Sequence, residues 1–171
     1  MHLKPQNPVP ELNVARVNGP SWNLREQQPE YFTLIVFYRG LHCPICKGYL
    51  NDLQNRLEDF RAKGVEPIAI SSDTQERAEQ TAKDWGIDAL PLGYGLSLDI
   101  AREWGLFISA GIKPEEPSLF SEPGLFLVRP DGTLYAASIQ TMPFARPSFK
   151  ELAAALDFVI KQDYPARGEA A

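Results

Sequence analysis

Two apolar runs separated by one helical segment place the strongest constraint on how this chain can fold. The first run, YFTLIVFY at residues 31–38, is rich in β-branched and aromatic side chains, as is typical of a strand buried on both faces. VEPIAIS at residues 65–71 predicts a second buried strand. Between the two, apolar residues recur at helical spacing over residues 46–63, and Gly64 follows where a helix would end. The order strand, helix, strand predicts a βαβ unit.

Further elements extend this unit on both sides. ELNVARVNGPSWNL predicts a hairpin that turns at Asn18-Gly19, and a second helix is expected to start at its cap, Asp73, and to stop at Gly86. The remaining predicted elements are a weak strand in LPLGYG, a short helix in LDIAREWGLF, a hairpin in GLFLVRPDGTLYAASI and an amphipathic helix in RPSFKELAAALDFVIKQ. We therefore expect an α/β fold with a mixed central β-sheet, flanked by helices, and an N-terminal β-hairpin.

The length of the chain predicts a single domain over residues 1–171. Its two ends, about residues 1–7 and 164–171, are expected to be flexible because prolines and small residues replace the apolar pattern there. One long loop, rich in Pro and Glu, spans residues 109–122. Such a loop is long enough to serve as a lid or as a homodimer contact, and it is equally typical of variable surface.

The net charge of −5 argues against nucleic acid and anionic membranes as partners. The N-terminal stretch MHLKPQNPVPELNV has neither an apolar h-region nor a small-residue cleavage site. No stretch approaches the roughly 18 apolar residues that span a bilayer. We therefore expect a soluble, cytoplasmic protein with no nucleic-acid and no membrane partner. A mature periplasmic protein whose signal peptide had been removed would have the same sequence features.

The only two cysteines, Cys43 and Cys46, stand where the first apolar run gives way to the helical segment. Open α/β sheets place their sites at the carboxyl ends of central strands. Cysteines three residues apart at the start of a helix share one face, so their sulfurs can close a small disulfide ring. Pro44 suits the first helical position, and the unpaired amides and helix dipole at Cys43 favour a thiolate there. Arg39, His42 and Lys47 could add positive charge that stabilises the thiolate further. A stabilised thiolate beside a second cysteine favours redox chemistry as the use of the pair.

Other uses of the pair fit the sequence less well. A structural zinc site needs four ligands, and beyond the cysteines this chain offers only His42 and the remote His2, although a site shared across a dimer stays open. Covalent haem attachment needs a histidine directly after the second cysteine, where Lys47 stands. A permanent disulfide is disfavoured in a reducing cytosol, and two inert cysteines would make their placement a coincidence. We expect no metal and no cofactor.

The chain resembles the thioredoxin superfamily, in particular its peroxiredoxin-like branch, the alkyl hydroperoxide reductase/thiol-specific antioxidant group. The resemblance covers about Pro8 to Ile160 and rests on VPELNVARVNGPSWNL, LIVFYRGLHCPICKGYLNDL, IAISSDTQERAEQTAKDWGI, LDIAREWGLF and PGLFLVRPDGTL. It implies a thioredoxin-like fold and an antioxidant oxidoreductase. It also implies that Pro123 is the superfamily's cis-proline, which precedes an apolar strand and faces the redox centre.

The resemblance leaves two mechanisms open. Typical peroxiredoxins carry Pro-x-x-x-Thr/Ser-x-x-Cys after the central strand. That pattern gives Cys46 the peroxidatic position, while Cys43 replaces the threonine and Arg39 the proline. Pro123 stands where such enzymes use an arginine, so peroxide reduction should be slowed. In thioredoxin-type exchange, by contrast, Cys43 is the exposed attacking thiol and Cys46 resolves the mixed disulfide.

We therefore predict a thiol-disulfide oxidoreductase whose Cys43/Cys46 pair cycles between dithiol and disulfide. The alternatives are a thiol-dependent peroxidase with Cys46 as its peroxidatic cysteine, and a non-catalytic redox sensor or binding module on the same fold. The expected substrate is a protein disulfide or a hydroperoxide, and the expected reducing partner is a thioredoxin or glutathione system. The residues predicted to bind substrate or tune the pair are Tyr38, Arg39, His42, Pro44 and Pro123. His42 would serve equally as an exposed turn residue.

Overall fold

The computed structural model describes residues 3–170, in which nine strands and five α-helices form. The strands are β1 (Asn13–Arg16), β2 (Gly19–Asn23), β3 (Phe32–Phe37), β4 (Val65–Ile70), β5 (Leu92–Tyr94), β6 (Ile108–Ala110), β7 (Leu119–Ser121), β8 (Gly124–Val128) and β9 (Leu134–Ile139). The helices are α1 (Pro44–Asn55), α2 (Leu57–Ala62), α3 (Gln75–Trp85), α4 (Leu98–Glu103) and α5 (Phe149–Gln162). Within the described residues, no helix is both long enough and apolar enough to cross a membrane.

Seven of the strands form one mixed sheet in the order β2-β1-β5-β4-β3-β8-β9. The strands β3, β4 and β5 run parallel, while β8 lies antiparallel beside β3. Because β3 and β4 pair in register from Phe32↔Val65 to Phe37↔Ile70, their carboxyl ends lie side by side. This sheet and its flanking helices confirm the predicted thioredoxin-like α/β fold, including the N-terminal hairpin of β1 and β2.

Successive side chains of β3 point to opposite faces of the sheet and enter two separate cores. On one face, Leu34 and Val36 join a cluster built with α1, α2 and α5. On the other face, Ile35 and Phe37 join a cluster with Trp104, which follows α4. All six residues of β3 are buried, so this strand is a rigid base for the segment that follows its carboxyl end.

The helical segment after β3 is divided into two helices. The sequence predicts one helix over residues 46–63, whereas the structure has α1 and α2, separated at Arg56, whose backbone leaves helical geometry (φ −100°, ψ 4°). The bend keeps Leu57 and Phe60 of α2 buried against a sheet whose surface twists. The predicted end of the segment is confirmed, since Gly64 takes a left-handed φ of 79°.

A small antiparallel hairpin occupies the segment that the sequence predicts as a loop. The strands β6 and β7 lie at the two ends of residues 109–122 and pair from Ile108↔Ser121 to Ala110↔Leu119. Each strand has only three residues, and each mixes polar with apolar side chains. Strands this short show no periodic pattern in a sequence, which explains why they escape prediction.

The two chain ends, as far as the structure describes them, are held against the body of the fold. The backbone N–H of Gln6 donates to the carbonyl of Leu134 at 2.7 Å, and its side-chain amide donates to the carbonyl of Ala166 at 3.2 Å. Ala166 itself is buried. Residues 1, 2 and 171 lie outside the described residues, and the flexibility of the ends stays a prediction.

Candidate active site

The two cysteines lie at the carboxyl end of β3, in the first turn of α1. Cys43 is the N-cap residue, in extended conformation (φ −104°, ψ 98°), and Pro44 is the first residue of the helix. The backbone N–H of Cys46 donates to the carbonyl of Cys43 at 3.1 Å. Both cysteines are in the free thiol form. The predicted position of the pair at a strand–helix junction is therefore found in the structure.

Both cysteine side chains are buried, which corrects the prediction that Cys43 is exposed. The exposed fraction is 2% for Cys43 and 0% for Cys46. The reason is that both belong to the core cluster on the α1 face of the sheet, together with Tyr38 and Leu125. Pro44 and Ile45, between the cysteines, are exposed instead. In this conformation both thiols are therefore shielded from solvent.

The two thiols differ in acidity. The hydrogen bond that Cys46 donates to Cys43 lowers the pKa of the Cys43 thiol to about 7, against the opposing effect of burial. The guanidinium groups of Arg146 and Arg39 act on the pKa of Cys43 in the same direction as the hydrogen bond. Burial raises the pKa of Cys46 well above its usual range, and the hydrogen bond to Cys43 adds to this. When the pair loses a proton near neutral pH, the negative charge therefore lies on Cys43 and the remaining proton on Cys46.

Arg39 is tied to a buried carboxylate that the sequence did not reveal. Its Nε and Nη2 donate to the two oxygens of Glu122, each at 2.8 Å, and the hydroxyl of Ser109 donates to Glu122 Oε1 at 2.6 Å. The guanidinium also lies 5.2 Å from the centre of the Phe120 ring. Because Glu122 neutralises it, Arg39 joins the end of β3 to the β7–β8 connection rather than facing a substrate.

Asp73, which follows β4, shapes the loop that leads to Cys43. Its carboxylate accepts hydrogen bonds from the backbone N–H of Leu41 at 2.8 Å and from Nε of Arg77 at 3.1 Å. Gly40 has a φ of +131°, and a Cβ on it would lie 2.6 Å from Asp73 Oδ2. The sequence predicts Asp73 as the N-cap of α3, and this prediction is wrong. The N-cap is Thr74, because its hydroxyl accepts a hydrogen bond from the backbone N–H of Arg77 in the first turn.

Tyr38 and His42 form the surroundings of the pair. Tyr38 is fully buried with its ring 6.0 Å from that of Trp85, and burial raises its pKa above the usual range. His42 is half-buried with its ring 4.5 Å from that of Phe120, and both of its ring nitrogens are buried. Burial lowers the pKa of His42, which favours the uncharged ring. His42 lies in a turn, as one of the two interpretations predicts, but it is half-buried rather than exposed.

The peptide bond before Pro123 is trans, so the prediction of a cis-proline is wrong. No peptide bond among residues 3–170 is cis. Backbone hydrogen bonds fix the chain on both sides of the proline. The N–H of Glu122 donates to the carbonyl of Phe107 at 2.7 Å, and the carbonyl of Pro123 accepts from the N–H of Gln140 at 3.0 Å. These bonds hold an extended backbone, and the trans isomer is the favoured one for most X–Pro bonds.

Arg146, in the segment between β9 and α5, is the second residue near the cysteines that the sequence did not reveal. Its guanidinium lies 4.2 Å above the centre of the Tyr49 ring, and its Nε donates to the carbonyl of Pro143 at 2.9 Å. The Tyr49 hydroxyl donates to the carbonyl of Pro147 at 2.7 Å. Nη1 and Nη2 of Arg146 are buried and have no hydrogen-bond partner among the described residues. A narrow crevice between these residues is lined also by Pro123.

The arrangement supports sulfur chemistry. A thiolate at Cys43 beside a protonated Cys46 is suited to nucleophilic attack followed by closure of an intramolecular disulfide. In the part of the chain that the structure describes, no three His, Cys, Asp or Glu side chains are grouped so that they could hold a metal ion.

Comparison with known proteins agrees with this chemistry. The sequence matches the AhpC/TSA family over residues 5–137. Similar solved structures include peroxidoxin BcpB from Mycobacterium tuberculosis (16% identity, 92% of this chain and 99% of that chain, TM-score 0.74). They also include AhpC from Enterococcus faecalis (18%, 96% and 98%, TM-score 0.75) and a 2-Cys peroxiredoxin from Plasmodium vivax in its reduced form (15%, 95% and 84%, TM-score 0.74). At these identities the likeness establishes the fold. A search of curated proteins finds no match.

Proposed function

The chain belongs to the AhpC/TSA family of thiol-dependent oxidoreductases, and from the arrangement of its cysteine pair we propose that it is a disulfide-exchange enzyme in which Cys43 attacks the substrate. The observation that carries this proposal is the asymmetry of the pair. The hydrogen bond from Cys46 lowers the pKa of Cys43, while burial raises the pKa of Cys46. The thiolate is the nucleophile in exchange reactions, so the first attack belongs to Cys43.

The exchange proceeds in two steps that balance. The Cys43 thiolate attacks one sulfur of the substrate disulfide, forms a mixed disulfide with it, and the other substrate sulfur leaves as a thiolate with the bonding electrons. Cys46 then gives up its proton to the departed substrate thiolate or to another base, and its sulfur attacks the sulfur of Cys43. The second substrate thiolate leaves, and the protein keeps a Cys43–Cys46 disulfide. The substrate has gained two electrons from the protein. An external reductant, either one dithiol of the thioredoxin type or two molecules of glutathione, supplies two electrons that return the Cys43–Cys46 disulfide to the dithiol.

Peroxide reduction is the second candidate function, and the family membership favours it. On the peroxiredoxin pattern the Cys46 thiolate would attack a hydroperoxide, giving a sulfenic acid on Cys46 and an alcohol. Cys43 would then displace water from that sulfenic acid and close the same disulfide. The raised pKa of Cys46 argues against this order of attack, as does the absence of a threonine hydroxyl at position 43.

Single-cysteine variants distinguish the two functions. With an excess of a disulfide, Cys46→Ser is expected to accumulate one mixed disulfide per chain, which mass spectrometry detects, whereas Cys43→Ser forms none. With hydrogen peroxide in a rapid mixer, loss of thiol from the reduced protein is expected at the rate of an ordinary free thiol. Fast peroxide consumption that survives in Cys43→Ser and disappears in Cys46→Ser would instead assign the chain to the peroxidases.

A further inference from the structure

We propose that Arg146 forms an anion subsite beside the cysteine pair, and that this subsite selects small disulfides that carry a carboxylate. The inference rests on the proposed exchange function, since it names the substrate class of the same site. It goes beyond that function because nothing in disulfide exchange itself requires a charged substrate.

The guanidinium of Arg146 is fixed in orientation and incompletely used. One face lies on the Tyr49 ring at 4.2 Å, and Nε is bound to the carbonyl of Pro143. Nη1 and Nη2 are the two nitrogens that remain, and neither has a hydrogen-bond partner among the described residues. A planar fork of free N–H groups matches the two oxygens of a carboxylate. Buried donors without partners are unfavourable, so an anion that enters supplies what the protein lacks.

Among the arginines around the cysteines, Arg146 differs from the others in having no counter-ion among the described residues. Arg39 is neutralised by Glu122 at 2.8 Å, and Arg77 is paired with Asp73 at 3.1 Å. Arg146 is in no ion pair formed by the described residues, yet its charge lowers the pKa of both cysteines. The net charge of the chain is −5, so the field of the whole protein repels anions. A preference for anionic substrates must therefore come from a local cation.

Nη1 and Nη2 of Arg146 and the thiol of Cys43 are all closed off from solvent in this conformation. The crevice lined by Tyr49, Pro123 and Arg146 leaves no space for a water molecule, and Cys43 is buried as well. A shift of the segment 140–148 away from α1 would open both. The carboxylate of the substrate would then bind Arg146 and present its disulfide to the Cys43 thiolate. The exchange that follows is the two-step reaction described above, with the same external thiol reductant.

Three disulfides of similar size test the subsite: anionic dithiodipropionate, neutral bis-hydroxyethyl disulfide and cationic cystamine. The measured quantity is the rate of mixed-disulfide formation by the reduced full chain, in wild type and in Arg146→Gln. Since the three thiols differ as leaving groups, the comparison is the ratio of variant to wild-type rate for each disulfide. We expect this ratio to be lower for dithiodipropionate than for the neutral disulfide by about tenfold or more. For cystamine it should be equal to or higher than for the neutral disulfide.

Controls separate the subsite from a structural role. Arg129→Gln removes another arginine that lies over a tyrosine ring, at 5.0 Å from Tyr135, and should leave all three ratios equal. Arg146→Lys keeps the charge and should restore part of the preference. If the rate falls by the same factor for all three disulfides in Arg146→Gln, the proposed anion subsite is wrong, while the proposed exchange function is unaffected. If the wild-type chain reacts with none of the three disulfides, the proposed function itself fails.

A measurement on the unaltered protein covers the case in which the variants do not fold. Suberate has the length and both carboxylates of dithiodipropionate but no sulfur. It should slow the reaction of wild-type protein with dithiodipropionate, and octanediol, its uncharged counterpart, should not. Equal effects of suberate and octanediol would contradict the proposal.

Discussion

Arg39 and Glu122 are joined by two parallel hydrogen bonds of 2.8 Å across 83 residues of sequence. The Glu122 side chain is 3% exposed and that of Arg39 23%, so the pair lies largely out of water. It connects the end of β3, which leads to the cysteines, with the residue before Pro123. The pair therefore fixes two walls of the site relative to each other.

Removing the carboxylate of this pair should destabilise the fold. Glu122→Gln leaves the Arg39 cation without its counter-ion, and we expect the free energy of unfolding to fall by about 2–4 kcal/mol. Denaturant unfolding measures this change. Glu58→Gln is the matched control, because Glu58 also pairs with an arginine but its side chain is 86% exposed. The control should change stability by less than about 0.5 kcal/mol. Equal effects of the two substitutions would contradict the structural role of the Arg39–Glu122 pair.

Two glycines near the cysteines should respond to alanine in opposite directions. At Gly40, φ is +131° and a Cβ would meet Asp73, so Gly40→Ala should destabilise the protein by about 2 kcal/mol and slow the reaction of Cys43. At Gly48, inside α1, a Cβ would meet nothing within 4 Å. Gly48→Ala should therefore stabilise the protein by about 0.5–1 kcal/mol. Thermal unfolding measures both effects, and destabilisation by both substitutions would be the contrary result.

The junction of β3 and α1 could be predicted from the sequence because its signals are local. The apolar run, Pro44 at the first helical position and the spacing of Cys43 and Cys46 all lie within a few residues of one another. Hairpin turns such as Asn18-Gly19 are local in the same way. Each of these signals reflects the backbone geometry or the burial of residues that are adjacent in the chain. A short stretch of sequence is therefore enough to specify it.

The partners that complete the site could not be predicted because they come from distant parts of the chain. Glu122 reaches Arg39 over 83 residues, and Asp73 reaches Leu41 over 32. Arg146 contacts Tyr49 from a segment without any motif. The residues on both sides of the bond before Pro123 are hydrogen-bonded to distant backbone groups, those of Phe107 and Gln140. Contacts of this kind exist only after the sheet has formed.

The reactivity of Cys43 should depend on pH through the hydrogen bond from Cys46. Because the pKa of Cys43 is lowered to about 7, the thiolate fraction, and with it the rate of alkylation by iodoacetamide, should rise as the pH passes through about 7. In Cys46→Ala the donor is lost, so the midpoint should move to higher pH. Cys46→Ser keeps a hydroxyl donor, and its midpoint should lie between the two. Site-resolved mass spectrometry gives the rates, and an unchanged midpoint in Cys46→Ala would refute this role of Cys46.

The hydroxyl of Tyr49 should control how often Cys43 becomes accessible. It donates to the carbonyl of Pro147 at 2.7 Å and so ties the segment 140–148 to the helix that carries the cysteines. Tyr49→Phe removes this bond and keeps the ring under Arg146. A hydrogen bond of this kind contributes about 1 kcal/mol, so opening of the segment and alkylation of Cys43 should become about fivefold faster.

A second tyrosine provides the control for this experiment. The hydroxyl of Tyr135 donates to the carbonyl of Tyr164 at 3.0 Å, and this bond holds the C-terminal segment rather than the segment 140–148. Tyr135→Phe should therefore lower stability to a similar extent while the alkylation rate of Cys43 stays at the wild-type value. If both variants accelerate alkylation equally, the effect arises from general loosening of the fold. If Tyr49→Phe accelerates it alone, the segment 140–148 is the element that opens.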